Sequence, residues 1–326
     1  MPQPSTIISP ENASNIVEIA VWVGHTCSVF SLAFSPDSKT LASTSCDQTV
    51  RLWDLASGSE LRTLEHTAVK RGLVFSPDGK TLAAADDSAS PVITLYDVAS
   101  GSELRTFEHT PYLFNAAFSP DGKTLAAAAA DGTVRLWDLA SSSELPSLNG
   151  HLGTKEGSPL PVISVAFSPD GTTLASADAD GRVRLWDLAS GSVLRSLKVA
   201  DDVCGVTFLL DGSLLAVETS RWYNNAADYE YIVTLYDVAS GSKLRKFGGI
   251  PDKGHSSALS PDGRTLVVTL MDGMIVVYDV ASGRELRRLS GHTGGGYAIA
   301  FSPDGRFIAS GSGDNDRTIR LWGIYP

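Results

Sequence analysis

One short unit is written seven times along this chain, and the repetition constrains the fold more than any other property of the sequence. Phe-Ser-Pro-Asp begins at Phe34, Phe75, Phe118, Phe167 and Phe301, and degenerate copies begin at Phe208 and Leu259. An aromatic residue followed by Asp forms a second marker, at Trp53, Tyr96, Trp137, Trp186, Tyr236 and Tyr278, and Trp322 stands where the seventh is expected. The chain is therefore an array of one supersecondary unit.

Each copy predicts four short antiparallel strands, a to d. Apolar and polar residues alternate in segments such as 49–53, and Pro-Asp-Gly and Ala-Ser-Gly turn signals bound these segments. No segment sustains the periodicity of a helix. The repeats therefore predict an all-β protein.

The elements FSPDGxTLA, DGxVRLWDLASG and Gly-His resemble WD40 repeats, over nearly the whole chain. The resemblance implies a seven-bladed β-propeller of four-stranded antiparallel blades. After Trp322 the chain has too few residues for the outermost strand of the last blade, and 19–22 stands in that strand's place when counted back from Phe34. We therefore expect a strand at about 18–23 to close the ring in the last blade.

We divide the chain into an N-terminal tail, 1–14, and a single propeller, 15–326. Ser9-Pro10-Glu11 is a candidate start for a short helical turn, with Ser as N-cap and Pro at the first position. The first eight residues are expected to be disordered.

The acidic balance excludes some functions. The chain carries 26 Lys+Arg and 37 Asp+Glu, a net charge of −11, which argues against a duplex-coating nucleic-acid binder or a basic membrane-surface protein. The sequence has neither an apolar run long enough to span a membrane nor a signal peptide, so we expect no membrane insertion and a cytoplasmic location. Cys27, Cys46 and Cys204 have no CxxC spacing, so we expect reduced thiols and no metal site.

Length variation is confined to two of the four connections in each repeat. The a–b spacing is 7 in every copy and the c–d spacing is 8 wherever both strands exist, whereas b–c varies from 12 to 21 and d–a from 14 to 22. Strand direction reverses at every turn, so the b–c and d–a loops share one end of the blades. We predict recognition there, with 152–161 and 220–231 as the most distinctive segments. The alternative is neutral drift in tolerant surface loops.

Three copies carry the same set of polar residues: His25, Ser43, Asp47 and Trp53; His151, Ser176, Asp180 and Trp186; His292, Ser310, Asp314 and Trp322. Ser, His and Asp together invite a catalytic-triad interpretation. Three equivalent sets, each with an indole N–H that can only donate, fit a buried hydrogen-bond relay better. They resemble the structural tetrad of WD40 repeats, and we expect each to hold a blade together.

The same resemblance implies which positions face a partner at the b–c/d–a loop end. They include the positions four and six residues before the Phe marker and the one before the b–c aspartate, to which we add two aromatic residues of the long insertion. The candidate partner-binding residues are Phe30, Cys46, Arg71, Tyr112, Phe114, Ile163, Trp222, Tyr223, His255 and Tyr297. The alternative is that the aromatic residues plug the channel or pack between blades.

We predict a non-catalytic, monomeric scaffold that needs no cofactor and binds a peptide or protein segment at the b–c/d–a loop end. The absence of a coherent catalytic constellation favours this function over an enzyme. A small-molecule or carbohydrate-binding propeller, with or without catalysis, is the alternative, and it would use the channel mouth near Arg71, His255 and the 222–231 loop. A lattice-building structural role is a third hypothesis.

Overall fold

The computed structural model describes residues 4–66, 70–86, 92–108, 112–151, 154–155, 158–199, 202–209, 211–222, 229–250, 254–313 and 315–325. They form a seven-bladed β-propeller in which each blade is one four-stranded antiparallel sheet, which confirms the predicted fold class. No helix in the described ranges is long and apolar enough to cross a membrane.

The strands follow the repeats. A 3-10 helix at Ala13–Asn15 precedes β1 (Val17–Trp22). The first blade contains β2 (Val29–Phe34), β3 (Thr40–Ser45), β4 (Thr49–Asp54) and β5 (Glu60–Glu65). The second contains β6 (Lys70–Phe75), β7 (Thr81–Asp86), β8 (Val92–Asp97) and β9 (Glu103–Glu108). The third contains β10 (Leu113–Phe118), β11 (Thr124–Ala129), β12 (Thr133–Asp138) and β13 (Glu144–Asn149).

A two-residue pair, β14 (Thr154–Lys155) and β15 (Ser158–Pro159), lies in the long d–a insertion before the fourth blade. The fourth blade contains β16 (Val162–Phe167), β17 (Thr173–Asp178), β18 (Arg182–Asp187) and β19 (Ser192–Lys198). The fifth contains β20 (Asp202–Leu209), β21 (Leu214–Trp222), β22 (Tyr229–Asp237) and β23 (Lys243–Ile250). The sixth contains β24 (Gly254–Leu259), β25 (Thr265–Leu270), β26 (Ile275–Asp279) and β27 (Glu285–Leu289), and the seventh begins with β28 (Gly296–Phe301), β29 (Ile308–Ser312) and β30 (Ile319–Gly323).

The invariant a–b and c–d turns are fixed by their own side chains. In the second blade, Ser76 Oγ donates to Asp78 Oδ1 at 2.6 Å and accepts the Thr81 amide at 2.9 Å, while Gly79 has a φ of +70°. Asp54, which follows the Trp marker, accepts hydrogen bonds from both the amide and the hydroxyl of Ser57 at the next turn. Glycine adopts a positive φ without strain, and a side-chain carboxylate satisfies turn amides. These turns therefore tolerate little change in length.

Burial decreases from the inner strands of a blade to its outer strand. In β3, all residues from Leu41 to Ser45 are buried, whereas most of β5 is exposed. Small side chains such as Ala42 and Ser43 suit a strand that is packed on both faces. The outer strand is more exposed because it forms the edge of the sheet and has a neighbouring strand on one side only.

The chain divides into two compact units, Met1–Phe75 with Ile250–Pro326, and Ser76–Gly249. The first unit has one core cluster around Trp22, Val29 and Phe34, and another around Ile8, Val277 and Trp322. In the second unit, clusters form around Val206 and Leu215, and around Val165 and Trp186.

β1 completes the seventh blade by pairing antiparallel with β30, so that Val17 lies opposite Gly323 and Trp22 opposite Ile319. This confirms the predicted closing strand. Trp22 is 5% exposed, and its ring stacks on that of Trp53 with 5.5 Å between the ring centroids. The closing strand therefore contributes backbone pairing to one blade and an aromatic contact to the next.

The segment before β1 is more ordered than the sequence suggests. Ile8 is fully buried, so the expected disorder of the first eight residues is wrong at this position. The 3-10 helix begins at Ala13 instead of near Pro10, and the Ser9 amide donates to Asn12 Oδ1 at 2.8 Å. Ile8, Ala13 and Ile16 pack into one core cluster, which supplies the apolar burial that orders the segment.

Replacing Trp22 with Ala should lower the free energy of unfolding by about 3–5 kcal/mol, because a large buried ring is lost from the closing strand. Val23 is 78% exposed, so Val23→Ala should change stability by no more than about 0.5 kcal/mol. Chemical denaturation of both variants measures the difference. Equal unfolding midpoints would mean that β1 does not pack in the last blade.

Candidate functional site

A continuous chain of hydrogen bonds crosses the first blade. Trp53 Nε1–H donates to Ser43 Oγ at 2.8 Å, and Ser43 Oγ lies 2.8 Å from His25 Nε2. His25 Nδ1 lies 2.9 Å from Asp47 Oδ2. The Trp53 indole N–H can only donate, so Ser43 Oγ accepts from it and the Ser43 hydroxyl is free to donate a hydrogen bond to Nε2. The proton of the neutral imidazole is then on Nδ1, where it faces the Asp47 carboxylate. With a neutral histidine, every polar group of the relay has a hydrogen-bond partner.

The fourth and seventh blades contain the same relay. Trp186 Nε1–H donates to Ser176 Oγ at 2.7 Å, and that oxygen lies 2.6 Å from His151 Nε2. In the seventh blade, Trp322 Nε1–H donates to Ser310 Oγ at 2.8 Å, and that oxygen lies 2.7 Å from His292 Nε2.

The aspartates of these two relays differ from the prediction. His151 Nδ1 lies 2.7 Å from Asp178 Oδ2, so the assignment of Asp180 to the tetrad is wrong. Asp180 instead places its carboxylate 3.4 Å from Lys198 Nζ. In the seventh blade, His292 Nδ1 lies 2.9 Å from Asp316 Oδ2. The predicted Asp314 lies outside the described residues.

The length of the b–c loop explains why the aspartate was misassigned in the seventh blade, but not in the fourth. The b–c spacing in the seventh blade is two residues longer than in the first, and counting back from Trp322 places Asp316 at the position that Asp47 has relative to Trp53. The predicted Asp314 stands four residues after Ser310, as Asp47 stands four after Ser43, and this spacing misses Asp316 by the two inserted residues. In the fourth blade, Asp178 is the last residue of β17 and is fully buried, whereas Asp180 is in the turn. Counting residues along the sequence does not show that the histidine bonds to Asp178 and not to Asp180.

Glycine precedes each relay histidine because the ring of the relay tryptophan lies against its backbone. A Cβ on Gly24 would stand 2.8 Å from Trp53 Cη2, and one on Gly150 would stand 2.6 Å from Trp186 Cη2. Real Cβ atoms do not approach carbon this closely. The Gly-His element of the repeat is thus a packing requirement of the relay.

Burial governs the electrostatics of the relays. It lowers the pKa of His25, His151 and His292 below the ordinary value, although the neighbouring aspartate opposes the shift in each case. Burial by itself raises the pKa of Asp47, but hydrogen bonds from Thr49, the Thr26 amide and His25 lower it to about 2. Each relay therefore contains a neutral imidazole beside an ionised carboxylate.

The relay serines are poorly placed for nucleophilic chemistry. Ser43, Ser176 and Ser310 are each fully buried, and each hydroxyl already contacts both an indole N–H and an imidazole. A substrate carbonyl could not reach them without opening the blade. Their geometry is that of a structural relay.

Asp178→Asn should lower the free energy of unfolding by about 1–3 kcal/mol, because an amide has one acceptor oxygen and cannot serve both His151 Nδ1 and the two backbone amides that donate to the other carboxylate oxygen. Asp180→Asn is the matched control, since it alters a partly exposed ion pair with Lys198, of a kind worth about 0–1 kcal/mol. Chemical denaturation of the two variants separates the assignments. A larger loss for Asp180→Asn than for Asp178→Asn would restore the sequence-based tetrad.

Stability should fall as the pH decreases through the ordinary pKa of histidine, about 6.5. The three relay histidines have lowered pKa values when folded, so the unfolded chain binds more protons below that pH and unfolding is favoured. Asp47 does not contribute in this range, because its stabilisation is lost only as the pH falls below about 4. Melting temperatures between about pH 7.5 and 5.5 measure the effect. A melting temperature that is constant or rises on acidification would contradict the burial of neutral histidines.

Cys27 and Cys46 form a disulfide, which contradicts the expected reduced thiols. The relay explains the pairing, because the hydrogen bond between His25 and Asp47 brings their neighbours together. The Cys46 amide donates to Ser28 O at 3.1 Å, and the two cysteine Cα atoms are 5.3 Å apart. Cys46 thus has no free thiol to offer a partner. The cytoplasmic location stays a prediction that has lost this support.

In the second compact unit, three predicted partner-binding residues are at the starts of neighbouring a strands. Tyr112 is 46% exposed and Phe114 is 42% exposed at the beginning of β10. Ile163, at the beginning of β16, is half-buried. The two strands are adjacent, since the Val165 amide donates to Asn115 Oδ1 at 3.3 Å. Two exposed aromatic residues therefore lie at the start of a strand that neighbours the strand of Ile163.

In the first compact unit, Phe30 and Tyr297 contact each other instead of standing free. Their rings meet edge to face with centroids 6.2 Å apart, and both residues are half-buried. The ring of Tyr297 also lies against the backbone of Gly313, where a Cβ would collide with it. For this pair, the structure agrees with the alternative that the aromatic residues pack between blades.

The structure provides no side-chain geometry for the remaining candidate residues. Arg71, Trp222 and His255 lie in β6, β21 and β24, but their side chains lie outside the described part of the chain, as does all of Tyr223. Much of the predicted 220–231 loop is an extension of the β21–β22 hairpin, in which Trp222 pairs with Tyr229. The insertion lengthens two strands as well as a loop.

Comparison with known proteins finds repeats of the same kind. A family model described as the IFT122 first beta-propeller matches residues 12–248, and a model described as WD domain, G-beta repeat matches residues 283–323. Protein HIRA of Zea mays and an uncharacterised WD repeat-containing protein of Synechocystis sp. are each 45% identical over 49 residues, which is 15% of this chain. The matched stretch covers 5% of the first protein and 14% of the second.

Proposed function

This chain belongs to the WD40-repeat β-propeller family, and we propose that it is a non-catalytic scaffold that binds a peptide or protein segment at the b–c/d–a loop end of its blades. Propellers of this family generally serve as interaction scaffolds. The fold alone does not assign the function. The proposal rests on side chains at that end.

The exposed pair Tyr112 and Phe114 carries the proposal. Both residues are more than 40% exposed at the start of β10, and the half-buried Ile163 lies at the start of the neighbouring strand β16. Exposed aromatic residues are costly to hydrate and dominate the energetics of protein interfaces when a partner covers them. Aromatic rings flanked by an aliphatic side chain suit an apolar anchor of a bound segment.

The buried relays support the non-catalytic part of the proposal. The relays bring Ser, His and Asp into hydrogen-bond contact, and their hydroxyls face other side chains. The small-molecule alternative depends on Arg71, His255 and the 222–231 loop, whose side chains are largely outside the described part, so no observation favours it.

Tyr112→Ala/Phe114→Ala should weaken binding of the natural partner by about ten-fold or more, because buried aromatic anchors contribute most of the binding energy of an interface. Quantitative capture from a lysate of the source organism identifies the partner, and titration with the purified partner measures the affinity. Tyr325→Ala is the control, since Tyr325 is 39% exposed and follows β30 instead of preceding an a strand.

Equal affinity of the wild type and the double variant for every captured protein would exclude this surface. If no protein is captured but a small molecule raises the melting temperature, the scaffold function itself would be wrong. Unchanged melting temperatures of the variants confirm that they fold.

A further inference from the structure

The N-terminal segment occupies a groove between two blades, at the end where the a–b turns lie. Ile8 is fully buried, and its amide donates to Gly305 O at 2.9 Å, in the a–b turn of the seventh blade. A Cβ on Gly305 would stand 3.1 Å from Ile7 Cγ2 and 3.7 Å from Pro261 in the a–b turn of the sixth blade. The segment thus lies between two Ser-Pro-Asp-Gly turns.

An apolar floor and one cation hold this segment. Ile8 packs in one cluster with Val277, Leu286, Phe301 and Ile324. Three residues further on, the Glu11 carboxylate accepts a hydrogen bond from Arg264, the residue after the Ser-Pro-Asp-Gly sequence of the sixth blade. The pKa of Glu11 is lowered, first by its hydrogen bond with Ser9 and also by Arg264. The segment is an aliphatic anchor followed by an ionised carboxylate.

The junction of the second and third blades repeats the same groove. Leu95, Leu104, Phe118 and Leu139 hold the repeat positions of Val277, Leu286, Phe301 and Ile324. They line a cavity of about 670 Å³ with Pro77 and Pro120 of the two a–b turns. Lys80 holds the repeat position of Arg264. No residue of the described ranges fills this cavity as Ile8 fills its counterpart.

The next junction has the same construction. A cavity of about 490 Å³ between the third and fourth blades is lined by Leu136, Leu145, Phe167 and Leu188. These residues again hold the four floor positions, and Lys123 holds the position of the cation. Two successive grooves therefore share the chemistry of the occupied one.

The leucine of the outer strand shows what an occupant covers. Leu286 is partly buried against the cluster that contains Ile8. The equivalent residues are 51% to 58% exposed in four other blades, at Leu61, Leu104, Leu194 and Leu244. Leu145 in the third blade is partly buried against its own core cluster, so the comparison applies to the groove that Leu104 lines. Exposed leucines at the rim of an apolar cavity are surface that a bound chain would remove from water.

We propose that the grooves at the second–third and third–fourth blade junctions bind a segment of another protein, in which an aliphatic residue is followed, through a turn like that at 9–12, by a carboxylate three residues later. The aliphatic side chain would fill the place that Ile8 takes, and the carboxylate would meet Lys80 or Lys123. A free peptide of this kind should bind weakly. It lacks the effective concentration, on the order of millimolar, that the N-terminal segment has because it is covalently attached.

This surface is independent of the proposed aromatic surface. Phe118 ends β10 in the groove, whereas Tyr112 and Phe114 are at the beginning of the same strand. Either surface can fail without the other.

A fluorescent peptide with the sequence of residues 4–16 is the probe, titrated by anisotropy up to about 1 mM against the full-length protein. We expect saturable binding that the double variant Leu104→Asp/Leu145→Asp weakens by about ten-fold or more, since each groove loses an apolar wall. Lys80→Glu/Lys123→Glu should weaken it less, because an exposed ion pair adds little to an apolar contact. A peptide carrying Ile8→Asp should not bind.

Two control variants of the protein keep the test specific. Val23→Asp, at a residue that is 78% exposed and lines neither cavity, and Tyr112→Ala/Phe114→Ala should both bind the peptide as the wild type does. Melting temperatures check that every variant folds.

Three results of the peptide titration would overturn the proposal. They are no binding to the wild type at the highest concentration, equal binding to the Leu104→Asp/Leu145→Asp variant, and binding of the Ile8→Asp peptide. Sedimentation of the wild type tests a second copy as the occupant. A concentration-dependent dimer that the groove variant abolishes would assign the grooves to self-association and contradict the proposed foreign segment.

Discussion

The antiparallel pairing of β1 with β30 is the interaction on which the rest of the structure depends, because it brings together two segments from opposite ends of the sequence. The pairing places Glu18 opposite Trp322, as Glu60 is placed opposite Trp53 in the first blade. Glu18 accepts a hydrogen bond from Arg320, which repeats the bond between Glu60 and Arg51. The closing strand therefore supplies the acidic residue that the first blade takes from its own outer strand. This match fixes the register of closure.

The buried relays give the blades their second common constraint. Each relay joins strands b and c of a blade to the loop before strand a, and the donor and acceptor sequence is the same in the first, fourth and seventh blades. What differs is the residue that supplies the carboxylate. The relay requires a charged hydrogen-bond acceptor at imidazole Nδ1, and any aspartate that the loop can bring there meets this requirement. The loop is free to vary in length while the relay persists.

The fold could be predicted from the sequence because its turn and strand signals recur seven times and are properties of contiguous residues. What the sequence did not reveal depends on contacts between distant segments. Ile8 is ordered by burial against residues far along the chain, and the disulfide joins segments 19 residues apart that a tertiary hydrogen bond brings together. In the relay of the fourth blade, Asp178 and not Asp180 bonds to the histidine, and residue spacing does not distinguish the two. Phe30 contacts Tyr297, whereas the equivalent aromatic residue of the third blade is exposed, so exposure depends on the neighbouring blade.

The closing strand and the groove segment are consecutive in the chain, so the same residues that complete the last blade also carry Ile8 into its groove. Residues 7–22 are thus an integral part of the folded protein. Amide hydrogen exchange of the intact protein, resolved by peptide mass spectrometry, tests this most directly. We predict that peptides within 7–22 exchange as slowly as those of β5, the equivalent outer strand of the first blade, and that 319–323 exchanges as slowly as β4, because β1 is bonded to β30 and the Ile8 amide to Gly305. Exchange of 7–22 as fast as that of exposed loops would contradict this integral role.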